Sequence, residues 1–183
     1  MTGRIFTADH HVYDLPPLLS WNVRHTGTVP CDSWSVTAVY QPEMLTVLRM
    51  AAGFAAIENG MTQLRGIVDE YTVELGSRGM TVTLSGRGYA ARLLDNESRP
   101  VTYEQVTLRE LIRCHAEPYG ISCGAAVDLR STVPYTAGVG ISQWKVISEF
   151  CRTYGGFLPR FAKTGELLAT PEPVSYTHLT LPT

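Results

Sequence analysis

Alternation of apolar and polar positions, rather than helical periodicity, dominates the first hundred residues. Ile67, Tyr71, Val73 and Leu75 fall on one face of an extended chain while Glu70, Thr72 and Glu74 fall on the other, and Met80, Val82 and Leu84 resume the pattern beyond Ser77-Arg78. That is a hairpin with one apolar and one wet face, and it predicts an antiparallel sheet. Gly86 and Gly88 then bend the chain into a short apolar helix that halts at Asp95-Asn96. Upstream, Leu15-Pro-Pro-Leu-Leu19 reads as an extended lead-in to a first strand over 21–25, and Gly27 as a turn. A second strand is expected over 33–40, with Trp34, Val36, Ala38 and Tyr40 on one face. Pro42 suits a first helical position, ahead of Met44, Leu45 and Leu48 on one stripe. Strands over 54–58 and 61–68 flank Asn59-Gly60, a type I′ turn signal because both central positions need positive φ.

After Pro100 the pattern changes. Thr107-Leu-Arg-Glu110 is a capping box that starts a helix, which Pro118 must stop. Tyr119-Gly120 turns the chain into a short strand over 121–126. Ser142 is placed to cap a helix over 143–154, whose Val146, Ile147, Phe150, Cys151 and Tyr154 make one stripe before Gly155-Gly156. Segments 157–161 and 166–170 are expected to pair around Lys163-Thr-Gly165. The predicted class is α+β, mainly antiparallel β. A β domain with short helices spans 1–100, and a smaller α+β domain, expected to be incomplete, spans 101–173.

Composition narrows the function classes. The chain is 44% hydrophobic and 17% charged with a net charge of −2, too small and too mixed to attract a nucleic-acid backbone by charge alone. No apolar run approaches the roughly 20 residues needed to span a bilayer, and the first ten residues lack the apolar core of a signal peptide. Neither sequence-specific nucleic-acid binding nor membrane insertion is expected, and synthesis in a cytosol is.

The run Gly86-Arg-Gly-Tyr-Ala-Ala91 matches the G-x-G-x-x-A fingerprint of a dinucleotide-binding turn. Its context does not. The preceding strand is paired by a tight hairpin, and the apolar run ends at Leu94, too soon for a crossover to a parallel strand. No cofactor is therefore expected. Cys31, Cys114, Cys123 and Cys151 are scattered without a C-x-x-C pair, and buried packing in a reducing compartment is the expectation. Cys114-His115 are sequence neighbours and diverge on a helix, so no metal site is read there. His10, His11 and His25 are taken as surface histidines without carboxylate companions. Asp69-Glu70, expected on opposite faces of a strand, cannot serve as a general acid and base pair. No catalytic residue is assigned, and no enzymatic activity is expected of this chain.

Residues 174–183, Val-Ser-Tyr-Thr-His-Leu-Thr-Leu-Pro-Thr, can be written codon for codon as a translated sequencing-library adapter. They are set aside as non-native, so Tyr176 and His178 receive no functional reading. The expectation that follows is a fragment from assembled environmental DNA whose natural sequence continues past about Pro173.

The order of parts resembles a known family. The residues that carry the resemblance are Val29-Pro-Cys-Asp-Ser-Trp-Ser-Val-Thr37, Gly66-Ile-Val-Asp69, Ser85-Gly-Arg-Gly88, Thr107-Leu-Arg-Glu-Leu-Ile112, Pro118-Tyr-Gly120 and Ser142-Gln-Trp-Lys-Val-Ile147, followed by Gly155-Gly156 and Thr164-Gly165. Over about Leu15 to Thr170 the chain is similar to bacteriophage tail baseplate hub proteins, related to late-control tail proteins and contractile-injection hubs. The resemblance implies a homotrimeric ring joining tail tube to central spike, with tube-like β domains lining a channel and a smaller domain inserted outside. It implies a virion location in the tail baseplate, assembly in the bacterial host cytoplasm, and tube and spike proteins as partners. Two alternatives stand beside it. The chain is the hub portion of a tail-associated cell-wall hydrolase whose catalytic domain lies beyond the cut, or a cytosolic binding module outside any phage.

Overall fold

A computed structural model describes residues 1–26, 30, 32–77 and 79–172. The amino-terminal half is built from two four-stranded antiparallel sheets. The first has the order β2-β1-β5-β6, from β1 (Thr2–Thr7), β2 (Val12–Asp14), β5 (Ala51–Glu58) and β6 (Met61–Ile67). The second has the order β3-β4-β8-β7, from β3 (Leu18–Arg24), β4 (Ser33–Val39), β8 (Gly79–Arg87) and β7 (Glu70–Gly76). Inward residues of both sheets, Ile5, Phe54 and Leu64 from one and Trp34, Val36 and Leu84 from the other, make a single core. Trp34 stacks on Phe54 with ring centroids 3.9 Å apart, and its indole nitrogen donates to the Ile67 carbonyl at 3.1 Å. A buried aromatic pair of this kind contributes both area and orientation to the packing of sheet on sheet. The short helix α1 (Met44–Arg49) closes one end through Met44 and Leu48.

Several sequence expectations change here. The amino terminus carries two strands, β1 and β2, ahead of the one expected to be first. Residues 64–75 are not one sheet. Leu64, Gly66 and Val68 face the core from the first sheet, the chain crosses at Val68-Asp69, and Tyr71 and Val73 face the same core from the second. The inward phase flips from even to odd positions at that crossing, so Ile67 does not share a face with Tyr71. Leu45 and Met80 are exposed rather than packed, and Leu75 is 81% exposed. The turn at Asn59-Gly60 has φ of 51° and 77°, as the type I′ reading requires. The expectations at Gly27, Val29, Cys31 and Arg78, and in 174–183, lie outside the described residues.

The sheets meet where β6 ends against β8, at a bridge between Gly66 and Gly88. A Cβ on Gly86 would lie 2.0 Å from the Ile67 carbonyl oxygen, and one on Gly66 would lie 2.2 Å from that of Arg87. Glycine at these two positions lets the backbones touch.

A second core follows. Helix α2 (Ala91–Leu94) places Leu93 in it, beside α3 (Leu108–His115) and α4 (Gln143–Phe150). A two-stranded and a three-stranded sheet accompany the helices. β9 (Val101–Tyr103) is antiparallel to β11 (Tyr135–Ala137), a pair absent from the sequence reading. β10 (Cys123–Ala126), starting two residues later than expected, runs parallel to β13 (Leu167–Ala169), which is antiparallel to β12 (Arg160–Phe161). The helix expected over 143–154 is α-helical only to Phe150 and continues as a π turn, Cys151–Gly155, ended by Gly156 at φ 69°. The architecture is α+β with mainly antiparallel sheets.

Candidate functional site

The second sheet presents the surface with the most distinctive chemistry. Its outward positions pair in rows: Asn22, Ser35, Ser85 and Glu70 in one, Ser20, Thr37, Thr83 and Thr72 in the next. Thr37 and Thr83 hydroxyls lie 3.1 Å apart, and Ser85 donates to Glu70 at 3.0 Å. Alternation makes this face: the apolar neighbours of these residues fill the core, so hydroxyls, with Asn22 and Glu70, occupy the outward positions.

Both outer strands of this sheet, β3 and β7, are seven residues long. Neither pairs with a further strand among the described residues. A free edge exposes a row of unpaired N–H and C=O groups, a template for another strand. On β3, a bulge between Leu18 and Ser20 leaves Leu19 58% exposed, and Trp21 is 50% exposed although it shares a row with buried Val36 and Leu84. On β7, Leu75 stands in solvent near Glu74.

Arg87 ties this sheet to α2. It donates to both oxygens of Asp69 at 2.8 and 2.9 Å and to both of Asp95 at 3.0 and 2.9 Å. The hydrogen bonds it donates to Asp69 first, then to Asp95, push its already high pKa further up. Asp69 precedes β7, and its carboxylate reaches Arg87 on the same strand, β8, whose Ser85 meets Glu70. The two acids therefore do not occupy opposite faces of one strand, and each is engaged separately.

The histidines also depart from expectation. His11 lies 3.0 Å from Asp9 and His25 lies 2.9 Å from Asp32, so each has a carboxylate companion after all. His115 is buried, with Nδ1 2.6 Å from Gln143 Oε1 and Nε2 3.0 Å from the Tyr103 hydroxyl. Gln143 in turn donates to the Glu97 carbonyl and the Tyr119 hydroxyl, a fully partnered polar network inside the second core. Of the cysteines, Cys151 is buried and its thiol pushed up to about 12 by desolvation, whereas Cys114 and Cys123 are exposed rather than packed. Among the described residues no three His, Cys, Asp or Glu side chains group as metal ligands. Gly86 and Arg87 pair antiparallel with Trp34 and Ser33 of β4, and Gly88 bridges to Gly66 before the chain enters the four-residue α2, so the glycines follow an antiparallel strand rather than a parallel one. No helix among the described residues is long and apolar enough to cross a membrane.

No protein-family model and no curated protein matches the sequence. Solved structures do. A tail protein from Neisseria meningitidis MC58 superposes with a TM-score of 0.66 at 14% identity, over 91% of this chain and 50% of that one. The 43 kDa tail protein of prophage MuSo2 from Shewanella oneidensis gives 0.67 at 14% identity, over 91% and 53%. At that identity the similarity shows the fold, one that these two tail proteins share, and the present chain spans about half the length of each.

Proposed function

We propose that this chain is a structural, non-enzymatic component of a phage or prophage tail, part of a baseplate hub that connects the tail tube to the central spike. The fold shared with two tail proteins supports the setting. The observation that carries the reading is the sheet β3-β4-β8-β7, polar on its outer face and open along two edges of equal length. A head-to-tail contact of β3 on one copy with β7 on the next leaves each copy with one edge to give and one to take, and it closes a ring that has no edge left. Trp21, Leu19 and Leu75 would be covered in such a contact. The hydroxyl-lined faces would then line the ring. In this reading residues 1–100 form the ring domain and 101–173 the outer one, and the protein assembles in the bacterial cytoplasm and ends in the virion.

The mass of the purified full-length protein in solution tests this. A stable trimer is expected, and a well-behaved monomer at high concentration would overturn the hub assignment.

A further inference from the structure

The hairpin between β5 and β6 turns on Asn59-Gly60, and both residues stand in solvent. Asn59 has φ 51° and Gly60 φ 77°, and nothing lies within 4 Å of where a Gly60 Cβ would stand. The Asn59 side-chain amide has no hydrogen-bond partner among the described residues. Asn22 and Asn96, the chain's other asparagines, are held differently. Asn22 sits inside β3, paired with Ser35, and the branched side chain of Val23 crowds the amide that follows it. Asn96 donates from its side chain to the Arg92 carbonyl at 2.8 Å, and the next residue, Glu97, is bridged to Ser142.

A backbone nitrogen that reaches the side-chain carbonyl carbon of the asparagine before it can close a five-membered imide. Closure requires Cβ and that nitrogen to eclipse about the Cα–C bond, which on an L residue means ψ near about −120°, the value at the first central position of a type II′ turn. A type I′ turn holds that ψ near about +30°, with the nitrogen turned away. Rotating one peptide plane, the one between Asn59 and Gly60, converts I′ to II′. The rotation keeps φ positive at Asn59, where it already is, and reverses the sign of φ at Gly60, which glycine alone tolerates freely in both states. It strains Asn59, because II′ turns ordinarily carry glycine first, but the flanking strands need not part, since both turns close a two-residue hairpin.

From this geometry we infer that Asn59-Gly60 is a self-modification site, where the folded chain converts its own asparagine to aspartate and isoaspartate through a cyclic imide. The Gly60 nitrogen gives its proton to hydroxide and bonds to Asn59 Cγ. The bond from Cγ to the side-chain nitrogen breaks, and that nitrogen takes a proton from water and leaves as ammonia, which restores the hydroxide. Water then opens the imide. Addition at the side-chain carbonyl gives aspartate, and addition at the backbone carbonyl gives isoaspartate, whose chain runs through the former side chain. Either product places a new carboxylate beside Glu58. The isoaspartyl form also adds a methylene to the two-residue loop and disturbs the Glu58–Met61 pair at the end of the ladder. The inference goes beyond the hub reading and does not depend on it.

The test incubates the purified, unaltered chain in neutral and mildly alkaline buffer and follows it by peptide mapping with mass spectrometry and by labelling with an isoaspartyl methyltransferase. The mass gain of amide-to-acid conversion and the methyl label are both expected at Asn59, ahead of Asn22 and Asn96, and faster at the higher pH. The same chain unfolded in urea supplies the reference rate. The folded chain should react within about a hundredfold of it, the factor that about 2.8 kcal/mol of strain at the flipped Asn59 would impose. Asn59→Gly keeps a turn-competent pair but removes the reacting amide, and it should abolish the methyl label. A folded chain that stays unreactive while the unfolded one converts would show that the turn does not flip, and would overturn the proposal. Faster conversion at Asn22 or Asn96, a rate indifferent to pH, or a label that survives Asn59→Gly would do the same.

Discussion

Gly86 and Gly66 are where single atoms decide the packing of the sandwich. Each added Cβ would collide with a carbonyl of the opposing strand at 2.0 or 2.2 Å, and backbone on both sides has nowhere to go. Gly86→Ala is expected to destabilise the protein by about 2 to 3 kcal/mol, at the upper end for overpacking, in urea unfolding followed by tryptophan fluorescence. Gly138→Ala, where nothing lies within 4 Å, should change stability by less than about 0.5 kcal/mol. The sequence marks Gly86 as a bend before a helix. That it is a point of contact between sheets depends on β6, twenty residues upstream, and no local pattern announces that approach. His25 teaches the same: its carboxylate partner Asp32 lies seven positions away, and both residues stand outside the strands β3 and β4 that they follow and precede, where no periodicity pairs them.

Among the elements, α3 is the one most fully dictated by its own residues. Thr107 Oγ1 accepts from the Glu110 amide at 3.2 Å, and Glu110 accepts from the Thr107 amide at 2.8 Å, as the capping box demands. Thr107→Ala should cost about 1 kcal/mol in the same unfolding measurement. The Glu110 carboxyl is held below the ordinary glutamate range, first by the Thr107 backbone amide and then by its hydroxyl. A folded pKa below the unfolded one means that the carboxylate's contribution is full above the ordinary glutamate value and disappears as pH falls through the lower folded value. Glu110→Gln keeps the hydrogen-bonding shape but does not titrate. The stability difference between wild type and this variant, measured from pH 6 to pH 3, should therefore shrink toward acid, and a constant difference would contradict the assignment. β1, β9 and β11 could not be read this way, because short strands draw their stability from partners far along the chain.

For the whole molecule, the decisive feature is which strands end the sheets. Among the described residues β3 and β7 leave two edges of one sheet open, with Trp21 and Leu75 exposed beside them. Trp21→Glu should leave the unfolding midpoint of the isolated chain almost unchanged, because half of the ring is already in solvent, yet convert the expected trimer to monomer by light scattering. If the variant stays trimeric, β3 is not the contact. Arg87 acts at this scale too, since its two aspartates lie before β7 and after α2 and so fasten the sandwich to the second core.

Alternation of side chains determined, from the sequence alone, that the chain is mainly antiparallel β, where Asn59-Gly60 turns, and where the capped helices begin, because these features rest on neighbours within a few residues. Which sheet each strand joins, the phase flip at Val68-Asp69 and the parallel β10–β13 pair were decided only by the tertiary structure. They depend on which surfaces pack together across long separations, and one period-two pattern serves equally well in either sheet.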